Sequence, residues 1–333
     1  LLEKHKIEHI NTLETEIETE LRTGVMCVGT NTYKGITQQA YLSDDFAFKF
    51  LTLCIIGPTR AGKSTLISNL CLDALKAGEV NIVFDWCGKC GLSDDIRGAL
   101  CKQAGIEMLT VDCSNITTLQ GLGYNELYSV TDDIFERYRS AKAQASQLMT
   151  LINSLQGEGT DLQARMERYL ESASILVFIS NGPIRDVMAV LQRHKDRMEY
   201  IRKAPDNQKE NIMEYVEALE ELNEYDKKTG EVIGTKISNV QGILNRMNKL
   251  KQNTYMELML KRECKNNFNL TEEIQKPQLI CIKMPDSMFS TETEKDIYAT
   301  YWITKLWAAL QQRLWKTEND KDLIKVNMYF DEL

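Results

Sequence analysis

The chain has 333 residues, 43% apolar and 26% charged, with a net charge of −8, the composition of a globular protein with core enough for about two domains. The acidic balance lacks the bulk basic signature of a nucleic-acid coat and leaves room for a local basic surface. Nine irregularly spaced cysteines, mostly in apolar runs, fit small core residues in a reducing cytosol and exclude a disulfide framework.

Residues 1–24 carry Ile7, Ile10, Leu13, Ile17 and Leu21 at helical spacing, which predicts an amphipathic helix. The glutamates among them exclude a signal peptide in this stretch, though an anchor in a preceding segment stays open. Short strands are expected at Val25–Val28 and Ala40–Leu42, around Gly29 and Gly35. Leu51–Ile56 is a continuous apolar run, the pattern of a strand buried on both faces in a parallel sheet. A helix over Thr65–Ala77 stopped by Gly78, a strand at Val80–Phe84, a helix over Leu92–Ala104 and a strand at Met108–Val111 complete an alternating α/β stretch over 25–124. From 125 to 270 helical patterns dominate, at Asp132–Gln156, Leu162–Ser180, Ile184–Arg202, Asn207–Tyr225 and Ile237–Lys265, with Pro183, Pro205 and the Lys227–Gly230 turn between some of them. This reads as an all-helical insertion. Residues 271–333 resume the core with strands at Gln278–Lys283 and Lys325–Phe330 and a helix over Glu292–Trp315. No apolar run approaches the roughly 20 residues of a bilayer span. The chain starts at Leu1 rather than Met and stops directly after an acidic pair. It therefore reads as part of a longer protein, with further sheet strands expected beyond Leu333.

The chemistry is concentrated in Gly57-Pro58-Thr59-Arg60-Ala61-Gly62-Lys63-Ser64, followed by Thr65. This satisfies G-x-x-x-x-G-K-[ST] between an expected strand and an expected helix, the setting of a phosphate-binding loop. Glycines let the backbone wrap phosphate oxygens closely, and the helix N-terminus adds partial positive charge. Lys63 is expected on the β- and γ-phosphates of ATP and Ser64 on Mg²⁺. The acid such a site needs has two candidates, Asp85 at the end of Val80–Phe84 and Asp331 at the end of Val326–Phe330; Asp331 is favoured because it alone is followed by glutamate. Glu332, the next residue, would orient or deprotonate the attacking water.

Other readings compete. Asp85-Trp86-Cys87-Gly88 fits the D-x-x-G of a GTPase, but no N-K-x-D accompanies it, and Asn248-Lys249-Leu250-Lys251 lacks the acid. Trp86-Cys87-Gly88-Lys89-Cys90 is similar to a thioredoxin site, without the downstream proline that such a site requires. One C-x-x-C supplies two of four zinc ligands, so no zinc is expected. His5 and His9 read as part of a solvated helix face. Arg246, Lys249, Lys251, Lys261, Arg262 and Lys265 form the most basic stretch, either a solvated face or a contact for phosphate backbone.

Taken together, the Gly57–Thr65 loop, the strand ending Asp85-x-x-Gly-Lys, the helical insertion, the strand at Leu279–Met284 and the terminal hydrophobic-Asp-Glu strand resemble HerA/FtsK-type ATPases. The HerA-like and conjugation coupling-protein branch is the most similar. Trp86-Cys87 departs from that branch's Asp-Pro-Lys-Gly-like loop, and Arg60 and Ala61 stand where glycine and a small residue are usual. The resemblance implies a three-layer P-loop NTPase (RecA-like) core with an inserted helical domain. It further implies a homo-oligomer, a hexameric ring hydrolysing ATP with Mg²⁺ to translocate DNA. Its setting would be cytoplasmic or at the inner face of the membrane, where membrane-associated secretion machinery is a further partner class. A secretion or assembly ATPase acting on protein would share every motif.

Overall fold

The computed structural model describes residues 15–44, 52–58, 60–100, 106–129, 131–155, 162–316 and 323–331; the helix expected over 1–24 falls largely outside them. The first element is a hairpin of β1 (Cys27–Tyr33) and β2 (Ile36–Tyr41). Its two-residue turn, Lys34 and Gly35, has φ of 48° and 77°, the positive values that match a tight turn to the twist of the strands. These strands are longer than expected, and Gly29 falls inside β1 at an irregularity in the register. The Cys27 amide donates to Asp73 at 3.0 Å, tying the hairpin to the next helix.

That helix, α1 (Lys63–Lys76), begins two residues before its expected start. It ends as the glycine predicts: Gly78, at φ 80°, donates to the Leu75 carbonyl while Glu79 donates to Ala74, a Schellman closure. The chain passes directly into β3 (Val80–Asp85), then α2 (Gly91–Leu100) and β4 (Glu107–Asp112).

The helical insertion follows. It comprises α3 (Ile134–Ser154), α4 (Ala164–Phe178), α5 (Ile184–Gln192), α6 (His194–Lys203), α7 (Lys209–Glu220), a small hairpin of β5 (Asn223–Tyr225) and β6 (Val232–Thr235), α8 (Gln241–Lys249), α9 (Thr254–Lys261) and the single turn α10 (Leu270–Glu273). Two helices expected as continuous are broken. Between α5 and α6, Arg193 is extended, and the buried Arg197 guanidinium donates to the carbonyl end of α5 at Val190. Between α8 and α9, Asn253 caps the new start by accepting from Tyr255 and Met256. The chain then returns through β7 (Gln278–Lys283), α11 (Glu292–Lys316) and β8 (Val326–Asp331).

The four central strands are parallel, in the order β4-β7-β3-β8. Every residue of β3 is buried, as a strand covered on both faces requires. One face carries Val83, Leu279 and Cys281 against α1 and α2, through Cys71, Leu75, Leu92 and Ile96. The other carries Val80, Ile82, Phe84, Ile280 and Ile282 in one continuous core with α11 and the insertion. The result is the expected three-layer α/β architecture, with helices on both sides of a parallel sheet.

One expected strand does not form. Residues 52–58 have no regular structure, and Leu53 and Ile56 are 50% and 90% exposed. Leu51 lies outside the described residues. A strand exists through its ladder of backbone hydrogen bonds, and no described strand lies on the outer side of β8 for this run to join. Ile55 alone packs inward, against the small cluster of Met26, Leu70 and Ala74.

Candidate functional site

The loop from Gly57 to Ser64 leads into the N-terminus of α1, and its backbone takes the shape its glycines permit. Arg60 and Gly62 have φ of 68° and 87°. At Arg60 this is an uncommon, strained choice; Gly62 adopts it freely. Gly62 is the N-cap of α1, and no side chain caps the helix there. The first turn carries no acidic residue, so the positive end of the helix dipole is unopposed. A Cβ on Gly57 would come within 3.3 Å of the Ala61 Cβ, a tight fit that explains the first glycine. Lys63 folds back over the loop, its Nζ donating to the carbonyls of Gly57 at 2.9 Å and Pro58 at 3.2 Å. Ser64 is half-buried at the second position of α1, and Thr65 is exposed at the third. Thr59 lies outside the described residues.

Because α1 hands the chain to the first residue of β3, its C-terminus sits at the N-terminal ends of the strands, and its N-terminus points to their C-terminal ends. Fourteen helical residues rise about 21 Å, and a six-residue strand spans about 20 Å. The loop therefore stands level with the crevice where ligands of open α/β sheets bind.

The two candidate acids meet in register there: Asp85 pairs with Asp331 on one side and with Lys283 on the other. Asp85 and Lys283 alternate with Val83 and Cys281 and so lie on the face that α1 and α2 cover. Asp85 is fully buried; its Oδ2 accepts from the Ser93 amide at 2.7 Å, and its Oδ1 has no hydrogen-bond partner among the described residues. Lys283 pairs with Asp94 at 2.9 Å. Glu332 lies outside the described residues.

The loop after β3 is held by reciprocal bonds. The Gly88 amide donates to Asp286 Oδ2 at 2.9 Å, and the Asp286 amide donates to the Gly88 carbonyl at 3.0 Å. Cys90 is buried, its thiol pushed up to about 12 by burial and then by the charge of Asp85. A redox thiol needs the opposite shift, which disfavours the thioredoxin reading.

Sequence reasoning missed what the basic stretch does. Arg246 reaches Asn153 at 3.1 Å, Lys249 the Leu155 carbonyl at 3.0 Å, and Arg262 the carbonyls of Leu119 and Ile116; Lys261 pairs with Glu257. Lys251 and Lys265 are exposed. A cavity of about 250 Å³ beside Arg262, Lys265 and Asn267 is lined by the loop after β4, away from the phosphate-loop candidate. No described helix is long and apolar enough to cross a membrane.

No protein-family model matches the chain, and no curated protein does. Among solved structures, a bacterial conjugative coupling protein, TrwBdeltaN70 in its unbound monoclinic form, aligns with a TM-score of 0.45 at 13% identity, over 83% of this chain. The chain spans 55% of the length of that structure. A likeness so distant says nothing of activity.

Proposed function

We propose that the chain binds ATP with Mg²⁺ on the Gly57–Thr65 loop and serves as the nucleotide-binding part of a DNA-translocating ATPase. The observation that carries the nucleotide reading is the uncapped, acid-free N-terminus of α1 behind a left-handed Gly62, level with the C-terminal ends of a parallel sheet. Amides aimed outward from such a helix end favour an anion. Lys63 already spans the loop through two carbonyls, and exchange of these neutral acceptors for phosphate oxygens strengthens its bonds.

In this reading Gly57, Pro58, Thr59, Arg60, Ala61 and Gly62 wrap the phosphates, Ser64 and Asp331 hold the metal, and Thr65 extends the cradle. Mg²⁺ supplies charge neutralisation on the phosphates. Asp331 stands at the C-terminal end of β8, in register with Asp85, the level at which the loop lies. Glu332, next in sequence, is assigned the orientation of the attacking water. Asp85 is engaged with the start of α2, which supports leaving it out of the metal set and sets the GTPase reading aside. The domain division at 24, 124 and 270 belongs to the same proposal and rests on the change of pattern along the sequence; the hexameric ring, the DNA cargo and a cytoplasmic setting rest on the resemblance of motifs.

A second reading has its own observation. Arg246, Lys249 and Arg262 are spent inside the molecule, so the insertion offers less free basic surface than its sequence suggests. That favours a protein cargo over phosphate backbone, as in a secretion or assembly ATPase. Steady-state ATPase assays of the full protein with and without DNA, beside Lys63→Ala and Glu332→Gln, separate the two. A severalfold rise with DNA that both variants abolish supports the translocase; activity indifferent to DNA moves the assignment to a protein-handling ATPase. Failure of the wild-type chain to bind ATP removes both.

A further inference from the structure

Trp86-Cys87-Gly88-Lys89-Cys90 follows β3 directly and has no part in the nucleotide site as assigned. Its tryptophan is buried, 6% exposed, beside the strand that ends in Asp331. Phe84 and Phe330 stack with ring centroids 4.9 Å apart and planes within 4° of parallel. The Trp86 ring closes the group, 5.7 Å from Phe330 and 6.3 Å from Phe84, tilted by 40° and 43°. At these separations aromatic rings attract one another beyond the effect of burial alone. Phe330 and Asp331 are the last two residues of β8, and the described sheet pairs that strand on one side alone, with β3. The end of an element with few partners opens locally at little cost, so the ring contacts of Phe330 decide how firmly the next residue is placed.

Trp86 is itself held on both sides. The Asp85 carbonyl before it accepts from the Met284 amide at 2.8 Å and from the Cys90 thiol at 3.2 Å. The two bonds between Gly88 and Asp286 pin the loop beyond it. Phe84 and Trp86 belong to the core that contains α11 and the insertion, and Phe330 packs against that core. The ring is thus fixed from the insertion side and bears on the strand that carries the proposed metal acid. We infer that Trp86 is a positioning residue for Asp331. With Phe84 it clamps the Phe330 ring, and so sets the end of β8 from which Asp331 serves the metal. This rests on the nucleotide reading above. It gives the Trp-Cys-Gly-Lys-Cys motif a use, and it makes the packing of the insertion a determinant of metal affinity. Outer contacts that orient a metal ligand typically carry about 10–100-fold of affinity.

ATP binding by the full chain, measured by calorimetry across Mg²⁺ concentrations and in EDTA, tests this. Trp86→Leu keeps an apolar side chain and removes the ring. The Mg²⁺ concentration for half of its effect on ATP affinity should rise about tenfold or more, with ATP affinity in EDTA unchanged. Phe330→Leu, which removes the partner ring and keeps Trp86, should give the same shift, and Trp86→Phe should restore most of the wild-type dependence. Leu148→Ala, fully buried in α3, should lower the unfolding temperature and leave the Mg²⁺ dependence where it was, which separates positioning from lost stability. Added to Asp331→Asn, Trp86→Leu should bring no further shift, because it acts through that carboxylate. Wild-type Mg²⁺ dependence in Trp86→Leu overturns the inference alone. So does an equal shift in Leu148→Ala, or a shift that adds to that of Asp331→Asn. A wild-type chain that binds no ATP, or binds it without regard to Mg²⁺, overturns the nucleotide reading and the inference together.

Discussion

The two sides of the sheet are held in different ways. On the insertion side, α11 is fastened to the segment after β4 by an ion pair with no exposed surface: Lys305 Nζ lies 2.7 Å from Glu126 Oε2. The ammonium also donates to Asn125 Oδ1 at 2.7 Å and the Gly123 carbonyl at 3.1 Å, while Glu126 Oε1 accepts from the Leu270 amide. All three ammonium protons are therefore satisfied. On the phosphate-loop side, α1 rests on two smaller clusters, the run before it is exposed, and Lys63 bonds the neutral carbonyls of Gly57 and Pro58. The contrast teaches that the fold is secured away from its candidate chemistry, and the loop is left to gain its strongest contacts from a ligand.

Four measurements sharpen or break this contrast. The largest effect is expected from Lys305→Met, which strands Glu126 in the core and should cost about 3–5 kcal/mol in denaturant unfolding. A loss below about 1 kcal/mol would mean that the insertion side is not fastened as described. Second, ATP with Mg²⁺ at about a hundred times its dissociation constant should stabilise the chain by about 2.7 kcal/mol in thermal shift. Lys63→Ala should remove that gain without lowering the unliganded midpoint. Third, Asp85→Asn keeps a carbonyl acceptor for the Ser93 amide but places an NH₂ where no partner exists, and should cost about 1–3 kcal/mol. A stabilised variant would show that Oδ1 is better left neutral.

The smallest effect is expected from Ile56→Ser, below about 0.5 kcal/mol at so exposed a position. A loss of several kcal/mol would show that the run is a buried strand after all. Thiol labelling at pH 8 extends the same contrast. Cys54 is exposed and Cys90 buried with its thiol near 12, so Cys54 should react promptly and Cys90 should stay unlabelled until the pH rises far beyond 8, because the thiolate is the reactive form.

Legibility in the sequence followed the same division. The strands β3 and β7 were readable because unbroken apolar runs between turn residues have few other uses in an α/β chain. The end of α1 was readable from Gly78. The same rule misled at Leu51–Ile56, since an apolar run reports a preference for burial and not the presence of a neighbouring strand. The break at Arg193 carries no proline or glycine; it depends on Arg197, far from any surface role, reaching back to α5. Likewise nothing local in the sequence distinguishes Lys305, a buried lysine with three acceptors, from a lysine on the surface. In the candidate site, the turn into α1 was legible from glycine spacing, with the helix start read two residues late. The role of Asp85 as a partner of α2 needed the tertiary arrangement of β3 against that helix.

The sheet order has a consequence for how the chain folds. Strands β3 and β4 follow one another in sequence but are not neighbours; β7 lies between them, and its pairing joins Asn81 to Leu279. Two strands rich in apolar side chains must therefore wait, unpaired, through the synthesis and folding of the whole insertion. Closing so long a loop in one step is slow. A compact insertion shortens the effective distance and delivers β7 to the gap. Variants that destabilise the insertion should therefore aggregate through β3 and β4 during synthesis.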